Sequence, residues 1–514
     1  MSIFLDVVTA ARQYADLPTC LLAVCLCLLA YLYLQRRRNL PPGPRCWPIV
    51  GNMPMFNKSA FLPVTLTELA KQYGDVMTIW IGRFPTVVLT GHKTIRTALV
   101  KRAEDFSSRK SNKIAAKFRG DGRTAFGVIM ASYGPNWKHQ RKFALVTLRD
   151  FGVGKRSLEG KIKEEVDMLV QEVLLQNGQP FDSKIMIQYC VSDIIISIAF
   201  GDRLEYDNPE FLRLIRLLNA AVGCKPTVPD LLTQMIHPVF HHLCRSETSI
   251  IVTSEKMYQA LREFCAEQIE KHRSTFDPSD IRDVIDAFLL EQQRAQDEQA
   301  RENFSDKQLQ EVLIDLFLAG TDTTATTIRW ALLYMMANPE IQEKVHQEID
   351  SVLGQSPPSY AQRSLLPYTT ATLAEVQRIK PIAPLSVPHA TSRDTSLNGY
   401  NIPQDTRIFA NLWSVHMDPQ LFTEPYKFQP ERFLDQDGNF VKNEALIPFS
   451  IGPRTCLGEQ LGRMEVFMLF VSLMQRFTFR LPEGAPEPSM VGIFEWSTFI
   501  NLPFPYKMCA IPRE

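Results

Sequence analysis

The chain has 514 residues, and 56 Lys+Arg against 56 Asp+Glu give a formal net charge of +0. That balance argues against a nucleic-acid binder, which carries a basic excess to neutralise phosphate. The ten cysteines are scattered without CxxC spacing, which argues against a zinc site or a disulfide scaffold and suits a reducing compartment.

Leu17 to Leu34 carries no charge. At a helical rise it reaches about 27 Å, close to the hydrocarbon thickness of a bilayer. Arg36-Arg37-Arg38 follows at once, whereas Asp6, Arg12 and Asp16 give no positive region before it. This asymmetry is that of a retained anchor with the body on the cytosolic side, not of a cleaved signal peptide. Pro41-Pro42-Gly43-Pro44 then ends any helix and makes a short stiff strut. The expected division is a short lumenal N-terminus (1–16), a transmembrane anchor (17–35), a basic stop and proline-rich hinge (36–50), and one large body (51–514) with no internal linker or repeat.

Within the body, Val76–Ile81 and Thr86–Thr90 read as a hairpin around Gly82-Arg83-Phe84-Pro85. Strand pieces are expected around Thr391 to Ile408 and near Phe477 to Leu481, and helical periodicity covers most of the rest. The longest helix begins at Ser305, a cap with Gln308 three residues on, and runs to Asn338 before Pro339. At about 50 Å it crosses a whole domain. His241-His242 is a tempting metal pair, but adjacent helical residues face different ways, so a solvated face is expected there.

Four stretches carry chemistry. Trp137-Lys-His-Gln-Arg141 sets an indole N–H and a guanidinium one turn apart. In Ala319-Gly320-Thr321-Asp322-Thr323-Thr324, Gly320 is a poor mid-helix residue whose use must be spatial, to let a flat ring or a diatomic sit close. Thr323 can bond back to the Ala319 carbonyl and loosen the helix, and Asp322 can pass protons inward. Glu375-Val-Gln-Arg378 pairs opposite charges at i,i+3. Finally, Phe449-Ser-Ile-Gly452-Pro-Arg454-Thr-Cys456-Leu-Gly458 puts a cysteine at a helix start, where N–H groups and the helix dipole lower a thiol's pKa.

The last stretch resembles the haem-ligand loop of the cytochromes P-450, Phe-x-x-Gly-x-Arg-x-Cys-x-Gly, at every fixed position. The mid-helix stretch resembles that family's oxygen-activation motif, and Glu375-x-x-Arg378 its ion-pair signature, with Arg432 in Pro430-Glu-Arg-Phe433 as the third member. The anchor, basic stop and Pro-Pro-Gly-Pro order is similar to the microsomal members. Thr147 to Lys155, and Phe276-Asp-Pro-Ser with Asp286-Ala-Phe-Leu289, are similar to the second family of the vertebrate nomenclature. Ile379 departs from it, standing where an aromatic is usual.

This resemblance implies a mainly α fold with small β-sheets (α+β), the long helix lying over haem in a haem-thiolate catalytic domain. It implies haem b (iron protoporphyrin IX) with Cys456 as axial thiolate, and Arg454, Trp137, Arg141, His389 and Arg109 around the propionates. Thr323 and Asp322 are the implied catalytic pair. Glu375, Arg378 and Arg432 form a structural frame. Candidate pocket residues are Phe126, Val128, Ile129, Phe317, Leu318, Thr321, Ala383, Leu385, Val387, Ile493 and Phe494, an apolar wall that suits a lipophilic ligand. Asp315 stands open between pairing with a basic amine and capping a neighbouring loop.

The implied reaction is insertion of one atom of dioxygen into a xenobiotic, fatty acid or steroid at the endoplasmic reticulum membrane. No Gly-x-Gly-x-x-Gly follows a strand, so NADPH would act only through an NADPH–haemoprotein reductase, with cytochrome b5 as a candidate helper. Lys138, His139, Lys142, Arg149, Lys155 and Arg156 are a candidate docking face for an acidic partner. The rival readings are a peroxide isomerase or dehydratase on the same fold and a non-enzymatic haem or lipophile carrier.

Overall fold

The computed structural model describes residues 40–47, 50–56, 61–109, 125–151, 156–201, 203–204, 208–222, 250–495 and 499–513, with the isolated positions 19, 23–25 and 119. The expected anchor, the basic stop, His241-His242 and Lys155 lie outside the described residues, apart from positions 19 and 23–25. No described helix is long and apolar enough to cross a membrane.

The helices that build the site are α1 (Pro135–Asp150), α2 (Arg156–Leu174), α3 (Lys184–Ala199), α4 (Ile250–Thr275), α5 (Asp306–Ala337), α6 (Pro367–Ile379) and α7 (Glu459–Arg476). Helix α5 is the long helix expected from the sequence. The Ser305 hydroxyl accepts from the Gln308 N–H at 3.4 Å, satisfying one of the N–H groups a helix start leaves unpaired. Its far end stops at Asn338, ahead of Pro339.

Burial along α5 is nearly all-round, as expected for a helix in the middle of a large core. Trp330 is fully buried, and its indole N–H donates to the Asn501 carbonyl at 2.9 Å. Helix α3 is equally buried from Cys190 to Ala199 and packs along α5. Gly320 belongs to that contact: a Cβ there would lie 2.5 Å from Ile195 Cδ1. The glycine therefore serves the α3–α5 packing, a correction to the expectation that it makes room for a cofactor.

Strands β1 (Val76–Ile81) and β2 (Phe84–Thr90) form the expected hairpin, with Val76 opposite Leu89 and Trp80 opposite Pro85. The second strand starts two residues earlier than expected because Pro85 sits near its first residue, where a missing N–H is tolerated. Strands β3 (His389–Ala390) and β4 (Arg407–Asn411) complete a sheet of order β1-β2-β4-β3, with β2 and β4 parallel. This sheet positions the site: β3 carries His389, and an isolated bridge between Ser108 and Ala390 brings Arg109 beside it. Short hairpins at Thr395–Leu397 with Tyr400–Ile402 and at Ile493–Glu495 with Ile500–Leu502 fall outside this sheet, as does Phe477–Arg480 paired with Cys509–Pro512.

Candidate haem-thiolate site

The loop before α7 is a tight structure of its own. The Cys456 N–H donates to the Phe449 carbonyl at 3.0 Å, and the Thr455 N–H to the Gly452 carbonyl at 3.0 Å. Gly452 has φ 82°, and a Cβ there would lie 2.0 Å from the Leu99 carbonyl oxygen, so no side chain can stand at this position. Gly458 is different. Its φ is −91°, and a Cβ would meet no protein atom within 4 Å, so packing does not require glycine there.

The Cys456 side chain is accessible to solvent although protein surrounds it on most sides, as for a group on the wall of a deep recess. Burial raises its thiol pKa above the ordinary value, and Glu459 pushes the same way. The Gly458 N–H, Arg141 and Arg463 pull it down. The helix-start effect read from the sequence is thus present at Gly458 but is outweighed by desolvation. A thiol in this setting ionises when a metal takes the sulfur.

Around this loop lies a cluster of cations, Arg109 and Arg454 buried and Arg141 half-buried. Arg454 donates to the carbonyls of Ser107 (2.8 Å), Val128 (3.0 Å) and Ala131 (2.6 Å), and its guanidinium sits 4.0 Å from the Trp137 ring centroid. Arg109 donates to the carbonyls of Ile129, Val387 and Pro388. Arg141 donates to the Thr455 carbonyl at 2.7 Å. Among the described residues, none of the three arginines has a carboxylate within salt-bridge distance.

Burial pushes Arg109 down to about 9. Burial together with Arg109 and Arg141 pushes Arg454 down to about 8. A guanidinium keeps its proton in a folded protein, so this cluster calls for anions. His389 shows the same demand. Its Nδ1 lies 2.8 Å from the Phe106 carbonyl, while its buried Nε2 has no partner among the described residues. Burial and the two neighbouring guanidiniums hold its pKa well below the ordinary value. Trp137 is placed differently from expectation: its N–H is spent on the Val128 carbonyl at 3.0 Å, so its contribution is the ring under Arg454.

Mid-way along α5 the burial breaks. Ala319 is exposed, with Leu316 and Thr323 half-buried beside it, and these positions share one helix face. The Thr323 hydroxyl donates to the Ala319 carbonyl at 2.8 Å, the back-bond expected from the sequence. Asp322 points elsewhere. It is buried against α3 and accepts from Gln188 at 2.6 Å. Burial raises its pKa, while Gln188, Lys184 and Arg329 offset that in part. Thr321 is also turned to α3, its hydroxyl accepting from Ser192 at 3.2 Å, so it does not line the groove.

The apolar candidates divide by burial. Phe126, Ile129, Leu318, Val387 and Ile493 are half-buried, as is Ala383. Phe317 and Leu385 are core residues. Val128 packs under the loop with Ala131, Trp137 and Val312. Phe494 packs on Phe61 and Phe499. Leu316 and Ala319 were missed, yet their spacing from Thr323 places them on its face.

The ion-pair frame is fully formed. Glu375 accepts from Arg378 at 2.7 and 2.8 Å, from Arg432 at 3.1 Å and from the Gln429 N–H at 2.9 Å. Arg378 also donates to the carbonyls of His416 and Pro425. Every charge in this buried set is paired.

The family model described as Cytochrome P450 matches residues 41–510, and the chain belongs to that family. It is an oxidoreductase, a cytochrome P450 monooxygenase. Human Cytochrome P450 2U1 is 39% identical over 499 residues, 92% of this chain and 90% of the relative. Cytochrome P450 2D6 of Pan troglodytes is 40% identical over 506 residues (97% and 99%), and Cytochrome P450 2D3 of Rattus norvegicus 38% over 505 residues (96% and 98%). The family's group is haem with a cysteine thiolate. The residues here fit it: an accessible sulfur in a recess, a glycine beside it that no protein contact explains, and a buried cation cluster suited to two carboxylates.

Proposed function

We propose that this chain is a reductase-dependent monooxygenase of lipophilic small molecules, with Cys456 as the axial thiolate of haem b. The observation that carries the reading is the convergence of the accessible Cys456 sulfur with the buried guanidiniums of Arg109 and Arg454 and the half-buried one of Arg141, which lack a salt-bridge partner among the described residues. Arg109, Arg141 and Arg454 hold the propionates, and a carboxylate beside His389 Nε2 would raise its pKa and let that nitrogen donate. Trp137 supports Arg454 from below.

When bound, haem activates dioxygen and carries the redox chemistry. The chain's own part is to place, orient and protonate. The Thr323 hydroxyl, fixed by the Ala319 carbonyl, stands at the groove with its lone pairs free to accept. Asp322 holds a proton source on the α3 side, next to Lys184 and Gln188. Phe126, Ile129, Leu318, Val387 and Ile493 give the substrate an apolar wall.

Electrons come from an NADPH–haemoprotein reductase, with cytochrome b5 as an accessory donor. Lys138, His139, Lys142 and Arg149 are exposed on α1 and suit an acidic partner, although Arg149 also pairs with Asp150 at 3.8 Å. Residues 17–35 anchor the chain in the endoplasmic reticulum membrane, with the body in the cytosol.

The test is reconstitution with reductase, NADPH and a panel of lipophiles under labelled dioxygen. One labelled oxygen atom in the product, with NADPH consumed in step, is the expected result. Rearrangement of a peroxide without NADPH would establish the isomerase reading instead. In the same system Thr323→Ala should keep haem but divert at least about half of the NADPH electrons to hydrogen peroxide, since removing a positioned proton-transfer group costs roughly 10²-fold or more in that step. Unchanged coupling removes Thr323 from the relay.

A further inference from the structure

Asp315 lies on α5 one turn before Ala319 and two turns before Thr323, about 12 Å along the helix from the latter. It is a carboxylate on the face that opens into the groove, the position from which an acid would attract a cationic ligand. Yet it is 4% exposed, and both of its oxygens are taken. Oδ1 accepts from the Arg119 guanidinium. Oδ2 accepts from the N–H groups of Val128 (2.7 Å) and Ile129 (2.9 Å). Gly127, at φ 81°, allows this approach, because a Cβ there would lie 2.5 Å from Asp315 Oδ2.

Arg119 is held on its other side as well. Its Nε donates to Glu311 at 3.0 Å, and its guanidinium lies 5.5 Å from the Tyr258 ring centroid. Arg262 from α4 donates twice to the other Glu311 oxygen, at 3.1 and 2.9 Å. Gln308 exchanges hydrogen bonds with the Gly127 backbone. Two guanidiniums therefore face two carboxylates, and the cluster presents no net charge to the groove.

We propose that Arg119 is a specificity-determining residue: by occupying Asp315 it withdraws the acid of the groove from cationic ligands, so that the pocket takes neutral lipophiles. A cation entering here would have to displace a buried, charge-assisted pair, and the groove's half-buried candidates Phe126, Ile129, Leu318, Val387 and Ile493 are all apolar. This inference rests on the groove being the substrate pocket. The choice between amine partner and loop cap, open in the sequence, falls to the loop cap.

The test is equilibrium dialysis of a matched pair against the holoenzyme: a lipophile ending in a quaternary ammonium, which cannot ligate iron, and its uncharged carbon isostere. The wild type should bind the isostere at least about tenfold more tightly, and Asp315→Asn, which leaves a guanidinium uncompensated, should not improve the ammonium relative to the isostere. Arg119→Ala, confirmed folded by circular dichroism, should improve the ammonium relative to the isostere by about tenfold or more, because Asp315 is then uncompensated. A wild type that prefers the ammonium overturns the inference without need of any variant, as does a folded Arg119→Ala protein with an unchanged ratio. Failure of the isostere to bind the wild type overturns the pocket assignment itself, and this inference with it.

Discussion

Cys456→Ala is expected to fold and to lose its pigment. The loop before α7 is built from backbone contacts that do not involve the sulfur: the Cys456 N–H bonds to Phe449, Thr455 to Gly452, and Gly452 lies against Leu99. Removing one sulfur atom leaves these intact. What it removes is the donor whose thiol is raised in pKa by desolvation and which a metal ionises. Loss of a partner that merely supports a metal ligand costs about 10–100-fold in affinity, so loss of the ligand itself should exceed that. Iron and porphyrin per chain after purification measure the effect, with far-ultraviolet circular dichroism as the control for folding. Full pigment with an unchanged spectrum would refute the ligand assignment.

Glu375→Gln should be the most damaging change remote from the sulfur. Glu375 and Arg378 are both fully buried, and the Arg432 side chain is 9% exposed. Neutralising the carboxylate leaves two guanidiniums facing each other with no counter-charge. Breaking a buried pair in this way costs about 3–5 kcal/mol, a large part of the roughly 5–15 kcal/mol that holds a domain folded. The damage should reach the cysteine loop, because the Glu375 oxygens also hold the Gln429 N–H and Arg432 at the start of the chain that leads to Phe449. The expected result is a poorly soluble or haem-poor protein with a lowered unfolding midpoint. The exposed pair Lys71–Glu68 is the contrast: Glu68→Gln should leave the unfolding midpoint nearly unchanged. A Glu375→Gln protein as stable as the wild type would show that the frame is dispensable.

The parts of this molecule that the sequence made legible are those set by local chemistry. Ser305 caps α5 because its hydroxyl reaches Gln308 three residues away. Gly452 adopts a positive φ, and Thr323 bonds back one turn to Ala319. Glu375 and Arg378 meet at i,i+3, and Arg432 was traceable through the resemblance.

What the sequence hid depends on which remote segment each side chain meets. Gly320 was read as space for a ring, but Ile195 fills it. Thr321 looked like a groove residue until Ser192 claimed it. The Trp137 N–H goes to Val128, nine residues on the other side of the loop end. Arg119 gave no sign at all: the sequence Phe118-Arg-Gly-Asp-Gly122 shows no hydrophobic period, and the partners of Arg119 are nearly two hundred residues away on α5. Glu465 is similar. Burial lifts its pKa to about 8, and only the fold shows that the Thr324 hydroxyl donates to it at 3.1 Å across the α5–α7 contact.

The central claim is that Cys456 sulfur holds haem iron, and the absorption spectrum of the reduced, carbon monoxide-bound wild-type protein tests it most directly. A spectrum of thiolate-ligated haem, with one iron per folded chain, is the predicted result. A well-folded protein that takes up no haem, or one whose carbon monoxide complex shows imidazole-type ligation, would contradict it.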